Sequence, residues 1–251
     1  TNKWQNSEIE GIDIMLAIDV STSMLAEDLK PNRLEAAKDV AAEFINGRPN
    51  DNIGITLFAG ETFTQCPLTV DHAVLLDMIH NIKCGLITDG TAVGMGIANA
   101  VTRLKDSKAK SKVIILLTDG TNNKGDISPM TAAEIAKSFG IRVYTIGVGT
   151  NGMAPYPYPV GNTVQYVSMP VEIDEKTLTE IAGTTDGNYF RATSNSKLKE
   201  VYEEIDKLEK TKLNVKEYSK RDEEYHWFAL AAFLCVLLEV LLRNSVLKKI
   251  P

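Results

Sequence analysis

The chain contains 251 residues, of which 44% are hydrophobic and 24% are charged, and its formal net charge is −6. This length is enough for one sizeable α/β domain or two small ones, and an acidic balance without clusters of basic residues disfavours a nucleic-acid-binding protein. Cys66, Cys84 and Cys235 are too few for a disulfide framework and lack metal-ligand spacing. The sequence is compatible both with a disulfide bond between Cys66 and Cys84 and with two free thiols. The chain starts at Thr1 without a signal peptide, so we expect a fragment of a longer protein.

Strands alternate with helices through the first half of the chain. Residues 1–11 are polar and are predicted to form a lead-in. The nearly continuous apolar run at residues 12–18 is typical of a strand buried on both faces of a parallel sheet. Asp71 is expected to cap a helix, and Pro67 to close an edge strand. The predicted elements are strands over residues 12–18, 53–59 and 61–67 and helices over residues 33–46 and 71–82.

The same alternation continues through the second half. Residues 151–170 are rich in Pro, Tyr and Gly and are predicted to form an irregular insertion, with a hairpin at residues 163–167. The other predicted elements are helices over residues 92–104, 131–139, 174–183 and 195–212 and strands over residues 113–118, 141–148 and 188–192. This order predicts an α/β fold with a doubly wound, Rossmann-like, mainly parallel sheet flanked by helices.

The C-terminal segment differs in kind from the rest of the chain. Residues 227–242 are apolar apart from Glu239, and with residues 243–249 the run is long enough to cross a membrane. We therefore predict a domain over residues 12–212, a linker over 213–224 and a transmembrane helix over 225–249. A buried helix packed on the domain is the alternative, which apolar residues around every face disfavour. The numbers of basic residues before and after the predicted transmembrane helix are nearly equal, so charge does not determine its orientation in the membrane.

Oxygen-bearing side chains follow the first predicted strand. Asp19, Ser21 and Ser23 alternate directly after it, and ligands of open α/β sheets bind at the carboxyl ends of strands. Carboxylate and hydroxyl oxygens suit Mg²⁺, Mn²⁺ or Ca²⁺ rather than zinc or copper. These residue types are also ordinary helix caps and turn formers. Thr91 and Asp119 lie in loops that reach the same edge of the predicted sheet.

The run Asp19-Val-Ser-Thr-Ser23 resembles the DxSxS motif of von Willebrand factor type A domains. Thr91 and Asp119 match the other two motif positions of that family, and the resemblance extends over residues 12–207. It implies a metal-ion-dependent adhesion site in which Ser21, Ser23 and Thr91 supply hydroxyl ligands. Asp19 and Asp119 would act directly or through water. The implied ligand is Mg²⁺, with Mn²⁺ or Ca²⁺ as alternatives, and a partner protein's Asp or Glu would complete its coordination.

Residues 19–38, together with the hydrophobic tail, are similar to the BatA-like proteins of the Bacteroides aerotolerance group. This resemblance implies a domain held at the bacterial inner membrane and facing the periplasm. It also implies other Bat-type membrane proteins and a MoxR-type AAA+ ATPase as partners, in stress or oxygen tolerance.

Two other functions stay open as alternatives. The first is a metal-independent structural scaffold in a membrane complex. The second is a Mg²⁺-dependent hydrolase of the haloacid dehalogenase type, which would need an acidic residue where Ser21 stands. The three histidines, His72, His80 and His226, are expected to lie away from the motif loops. We therefore expect a binding protein rather than an enzyme, in which the role of Asp89 is open.

Overall fold

The computed structural model of the protein describes residues 11–161 and 163–218, together with residues 230, 232–234, 236 and 239. The chain divides into two compact units, Thr1–Glu209 and Lys210–Pro251. The first unit contains a six-stranded sheet with helices packed against it and a separate two-stranded sheet. In the second unit, the described residues are helical.

The central sheet has the strand order β3-β2-β1-β4-β5-β8, and every neighbouring pair is parallel except β2 with β3. The strands are β1 Asp13–Asp19, β2 Asn52–Phe58, β3 Thr62–Thr69, β4 Lys112–Thr118, β5 Ile141–Val148, β6 Met153–Val160, β7 Thr163–Pro170 and β8 Tyr189–Ala192. The predicted α/β fold with a mainly parallel sheet is confirmed, and the edge position predicted for β3 is confirmed as well.

Strand β1 lies in the middle of the sheet, between β2 and β4. All seven of its residues are buried, because helices cover both faces of the sheet and apolar side chains alternate toward each. Full burial of one such aliphatic side chain stabilises the fold by roughly 1.5–3 kcal/mol. The position of β1 brings its carboxyl end beside that of β4, since the two strands are parallel and paired from Asp13 to Ile18.

Polar side chains cap the starts of several helices. The side chain of Asn32 accepts a hydrogen bond from the Glu35 amide at the start of α1, and Gly47 follows its end. Asp71 caps α2 in the same way, as predicted. The helices are α1 Arg33–Asn46, α2 His72–His80, α3 Val93–Leu104, α4 Pro129–Ser138, α5 Glu175–Thr184 and α6 Asn195–Tyr218. Helix α2 is therefore shorter than predicted, and α6 is longer.

The prediction of an irregular insertion at residues 151–170 was wrong, and the hairpin predicted at residues 163–167 was misplaced, since these residues lie within the single strand β7. This segment forms a regular antiparallel hairpin of β6 and β7, in which Tyr156 pairs with Val167. Prolines in a segment count against a strand because they cannot donate to a neighbouring strand. The hairpin tolerates these prolines because their backbone nitrogens face away from β7, where no hydrogen bond to the partner strand is needed.

The remaining predictions concern the cysteines and the C-terminal segment. Cys66 is buried and Cys84 half-buried, and both thiols are free, so no bridge joins them. Among the described residues, no helix has the length and apolar character needed to cross a membrane. Most of the predicted span at residues 225–249, part of the predicted linker, residues 1–10 and Cys235 lie outside the described residues.

Candidate metal site

The five predicted donor residues converge at the carboxyl edge of the sheet. Asp19 ends β1, and Asp119 directly follows β4, the strand paired with it. Ser21 and Ser23 lie in the 3-10 turn after β1, and Thr91 lies in the loop before α3. Ser23 is partly buried, and the other four residues are at most 4% exposed. The structure therefore places all five residues at one shielded site.

Hydrogen bonds connect the serines to the second carboxylate. The Oγ atoms of Ser21 and Ser23 are 2.9 Å apart, and Ser23 Oγ donates to Asp119 Oδ1 over 2.7 Å. The hydroxyl of Thr91 lies on the same side, since a Cβ added to Gly120 would stand 3.4 Å from Thr91 Oγ1. The two serine hydroxyls and the Asp119 carboxylate thus form one group of oxygen atoms, and Thr91 lies beside Gly120, the residue after Asp119.

Asp19 is fully buried, and both of its carboxylate oxygens accept hydrogen bonds. Its Oδ1 accepts a hydrogen bond from the Ser21 amide at 2.9 Å, and its Oδ2 accepts one from Thr118 Oγ1 at 2.5 Å. Complete burial, helped by repulsion from Asp119, raises the pKa of Asp19 to about 7 despite these hydrogen bonds. Burial without a cation is unfavourable for a carboxylate, so the Asp19 side chain is one that a bound cation would stabilise.

Arg33, at the start of α1, is a buried cation beside the site. Its Nη1 donates to Asp119 Oδ2 over 2.6 Å, while Nε and Nη2 both donate to the Asp28 carboxylate over 2.7 Å. The amide of Thr150 also donates to Asp28, over 2.8 Å. Burial raises the pKa of Asp119 even though Arg33 opposes it. For Asp28, the hydrogen bonds from Arg33 and Thr150 outweigh burial and lower the pKa.

The charges of this buried group do not balance. Asp19, Asp28 and Asp119 carry three negative charges when ionised, and Arg33 carries one positive charge. With all three carboxyls ionised, the deficit is two, which matches a divalent cation; without a cation, the raised pKa values of Asp19 and Asp119 make the deficit smaller. No cluster of three or more His, Cys, Asp and Glu side chains within the described residues is arranged to hold a metal. A cation at this edge would therefore need hydroxyl oxygens, which hard ions such as Mg²⁺ accept.

Arg33 and Asp28 were not singled out from the sequence. Their contacts join residues as far as 122 positions apart in the chain, and no spacing rule predicts such a contact. A signal did exist, since both residues lie within the run 19–38 that carries the resemblance to BatA-like proteins.

Two further contacts hold the donor loops together. Asp89, whose role was open, accepts hydrogen bonds from the amide and the hydroxyl of Thr22 at 3.0 and 2.8 Å. Partial loss of hydration raises the pKa of Asp89, but these hydrogen bonds outweigh that effect, so the pKa is lowered. Asn123 Oδ1 accepts a hydrogen bond from the Thr91 amide at 2.9 Å. Asp89 and Asn123 thus connect neighbouring loops of the site through hydrogen bonds to Thr22 and Thr91.

Comparison with known proteins bears on the family. A model of the von Willebrand factor type A domain matches residues 13–204. The chain belongs to this family. The site at the carboxyl edge of its sheet therefore occupies the position at which the sequence resemblance implied a metal-ion-dependent adhesion site.

The similar proteins include membrane proteins of the Bat type. An aerotolerance-related membrane protein from Bacteroides fragilis is 32% identical, with a TM-score of 0.69 over 78% of this chain and 98% of that one. BatB from Bacteroides thetaiotaomicron is 34% identical, with a TM-score of 0.70 over 80% and 100%. A UPF0353 protein of Mycolicibacterium paratuberculosis is 32% identical over 75% of this chain, which spans only 58% of that relative. The predicted Bat-type resemblance is confirmed.

A more distant structure carries a metal at the corresponding motif. Proximal thread matrix protein 1 from the mussel byssus, with a zinc-occupied MIDAS motif, is 25% identical to this chain. Its TM-score is 0.62 over 79% of this chain and 45% of that protein. The fold of this chain is therefore shared with a protein whose metal-ion-dependent adhesion motif holds a divalent ion.

Proposed function

We propose that this domain binds a divalent cation, Mg²⁺ first and Mn²⁺ or Ca²⁺ as alternatives, at Asp19, Ser21, Ser23, Thr91 and Asp119. The observation that carries the proposal is the contact of Ser21 with Ser23 and of Ser23 with Asp119, with Asp19 bonded to the Ser21 amide and Thr91 beside Gly120. The charge deficit of two around Arg33 supports it. Ser23 and Asp119 are 96 residues apart in the chain, so local turn formation does not explain their contact, whereas binding of a common ligand does.

The proposed role of the cation is to recognise an acidic side chain of a partner protein. Hydroxyl ligands carry no charge, and Asp119 already shares its second oxygen with Arg33. A cation held by such a set keeps much of its positive charge, and Mg²⁺ commonly retains exchangeable positions in protein sites. An Asp or Glu of the partner would supply the missing anionic ligand.

We propose a binding module rather than an enzyme. In a phosphatase of the haloacid dehalogenase type, a second carboxylate two residues after the first transfers the proton. Ser21 stands at that position and shares a hydrogen bond with Ser23. Hydrolysis of a generic phosphate ester by the purified protein, lost in Asp19→Asn, would favour the hydrolase instead.

The cellular setting is proposed from the relatives. The protein from Bacteroides fragilis is named as a membrane protein, and residues 227–242 are almost entirely apolar. We place the domain at the bacterial inner membrane, anchored through residues 225–249 and facing the periplasm. Its proposed partners are other Bat-type membrane proteins and a MoxR-type AAA+ ATPase, in stress or oxygen tolerance.

Calorimetric titration of the 251-residue chain with Mg²⁺ and Mn²⁺ tests the metal proposal. Saturable binding is expected, with loss of binding in Asp19→Asn and in Ser21→Ala/Ser23→Ala. Asp71→Asn is the matched control, since Asp71 caps α2 and contacts none of the five donors. Repeating the titration with an acidic peptide present allows for a carboxylate that completes the site. Absence of binding under both conditions would leave the metal-independent scaffold as the function.

A further inference from the structure

The outer edge of strand β6 is closed by proline. Pro155, Pro157 and Pro159 alternate along it. Neighbouring residues of an antiparallel strand point their backbone groups alternately toward and away from the partner strand. A proline has no N–H to donate, so the three prolines take the positions that point away from β7. The carbonyl of Pro155 does point outward, since it accepts a hydrogen bond from the Glu27 amide at 2.8 Å.

The outer edge of strand β7 is open. Its residues Val164, Tyr166 and Ser168 lie opposite the three prolines, so their N–H and C=O groups also point away from the hairpin. The hydrogen bond from the Val171 amide to the Gly152 carbonyl follows the same alternation. Within residues 11–161 and 163–218, these three backbone units have no hydrogen-bond partner. Three donors and three acceptors thus form a row along this edge.

The side chains of β7 are exposed, and those of the whole hairpin are largely apolar and uncharged. All eight residues of β7 are exposed, and Val164 and Tyr166 are 57% and 61% exposed. Residues 153–170 contain no Asp, Glu, Lys or Arg, although the whole chain has a net charge of −6. An exposed apolar edge strand is a template for pairing with another strand. Charged residues, which often protect such edges, are absent from the segment.

We propose that β7 pairs antiparallel with β7 of a second copy of this chain. A twofold axis at Tyr166 would place Val164 opposite Ser168 and Tyr166 opposite itself, so every outward donor meets an outward acceptor. Two acidic molecules repel each other over most of their surfaces, whereas residues 153–170 carry no charge of their own. The Glu27 carboxylate, which accepts a hydrogen bond from the Tyr166 hydroxyl at 3.0 Å, is itself paired with Lys30. The resulting sheet has four strands, and its formation does not depend on the metal site.

The edge-blocking substitution Val164→Pro tests this interface. It removes an outward N–H from each copy but leaves the bonds to β6 in place, as the β6 prolines do. The control Val164→Thr keeps the N–H and the branched shape. Sedimentation velocity of the 251-residue chain, in a detergent that keeps the apolar segment in solution, measures the dimer dissociation constant. We expect that constant to rise at least about tenfold in Val164→Pro, since two hydrogen bonds are lost, and to stay near the wild-type value in Val164→Thr.

Three outcomes would overturn the interface. These are a wild-type chain that stays monomeric, dimerisation that Val164→Pro leaves unchanged, and equal weakening by both substitutions. If Val164→Pro left dimerisation unchanged, the dimer contact would lie elsewhere in the chain, for example in the apolar C-terminal segment. Ser168→Pro provides a second blocking variant at the other end of the row. Circular dichroism and thermal unfolding show whether each variant keeps the fold, and the dissociation constant is compared only among folded variants.

Discussion

At the scale of single residues, Arg33 holds two carboxylates that come from distant parts of the chain. It contacts Asp28, five residues away, and Asp119, 86 residues away. All three side chains are at most 4% exposed. Buried ion pairs contribute little relative to an apolar replacement of the whole group, but removing one member leaves the others uncompensated. The geometry of Asp119 at the candidate metal site therefore depends on Arg33.

Replacing Arg33 with Met is expected to destabilise the fold by roughly 3–5 kcal/mol, because Asp28 and Asp119 lose their counter-charge. Urea denaturation followed by circular dichroism measures the change. Lys30→Met is the control, since Lys30 is 73% exposed and forms only a surface pair with Glu27; it is expected to change stability by under about 1 kcal/mol. Equal effects of the two substitutions would contradict the structural role of Arg33.

Cys84 is a second residue whose surroundings lead to a prediction. Its Sγ lies 3.4 Å from the Ser21 carbonyl, to which it donates. Burial, reinforced by the charges of Asp19 and Asp119, raises the pKa of the Cys84 thiol to about 12. The reactive species of cysteine is the thiolate, so little of it forms near neutral pH.

We expect iodoacetamide to label Cys84 slowly in the folded chain at pH 8 and rapidly after denaturation. Peptide mapping by mass spectrometry distinguishes Cys84 from Cys66 and Cys235. Fast labelling of Cys84 in the folded chain would show that the thiol is more accessible or more acidic than its surroundings imply.

At the scale of secondary structure, helix α6 is attached to the sheet through Glu209. This buried carboxylate accepts hydrogen bonds from Ser111 at 2.8 Å and Tyr144 at 2.6 Å, and it forms an ion pair with Arg142. Burial raises the pKa of Glu209, but the hydrogen bonds from Arg142 and Tyr144 outweigh it, so the pKa lies below its ordinary value of 4.5. The contacts join α6 to β5 and to Ser111, the residue before β4, through one side chain.

A carboxyl with a lowered folded pKa stabilises the protein above its ordinary pKa, and this stabilisation is lost as the pH falls through the folded value. The free energy of unfolding of the wild type should therefore fall steeply below about pH 4.5. Glu209→Gln should be less stable at neutral pH and should show a shallower loss on acidification. Glu43→Gln, at an exposed residue of α1, is the control. Parallel acid profiles for the wild type and Glu209→Gln would exclude Glu209 as a major source of the pH dependence.

The elements also show how much of the fold could be predicted from sequence. Helix α1 was predicted with its observed bounds because apolar residues recur at helical spacing over residues 33–46 and Gly47 follows them. Strand β6 was missed because proline at every second position suppresses the usual strand signal, and only the pairing with β7 shows that these positions point outward. Local signals are readable from one sequence, whereas the effect of a pairing partner is not.

The same distinction applies to the candidate site. The common position of Asp19, Ser21, Ser23 and Asp119 could be predicted because these residues follow the ends of parallel strands, whereas Thr91, in the loop before α3, was identified through the family resemblance. Their role as metal ligands stays a prediction. The contacts of Arg33 and Asp28 could not, because folding brings them to Asp119 and Thr150 from distant positions. The role of Asp89 was unreadable for the same reason, since its partner Thr22 lies 67 residues away.

At the scale of the whole molecule, the proposed membrane attachment has a direct test. The 251-residue chain is expected to remain in the membrane fraction after an alkaline carbonate wash, because burying about 20 apolar residues in lipid is effectively irreversible. A variant ending at residue 212 is expected in the soluble fraction. Extraction of the full chain by carbonate would indicate peripheral attachment instead.

The prolines of strand β6 also set a limit on assembly. A strand that accepts neighbours on both sides can be extended without end, which is how fibrils grow. In this hairpin, Pro155, Pro157 and Pro159 offer no N–H to a further strand, so only the β7 side can add one. Pairing through β7 is then a terminating reaction, because the resulting four-stranded sheet has proline on both outer edges. Many copies crowded together can therefore carry an uncharged, apolar strand and still stop at pairs rather than polymerise.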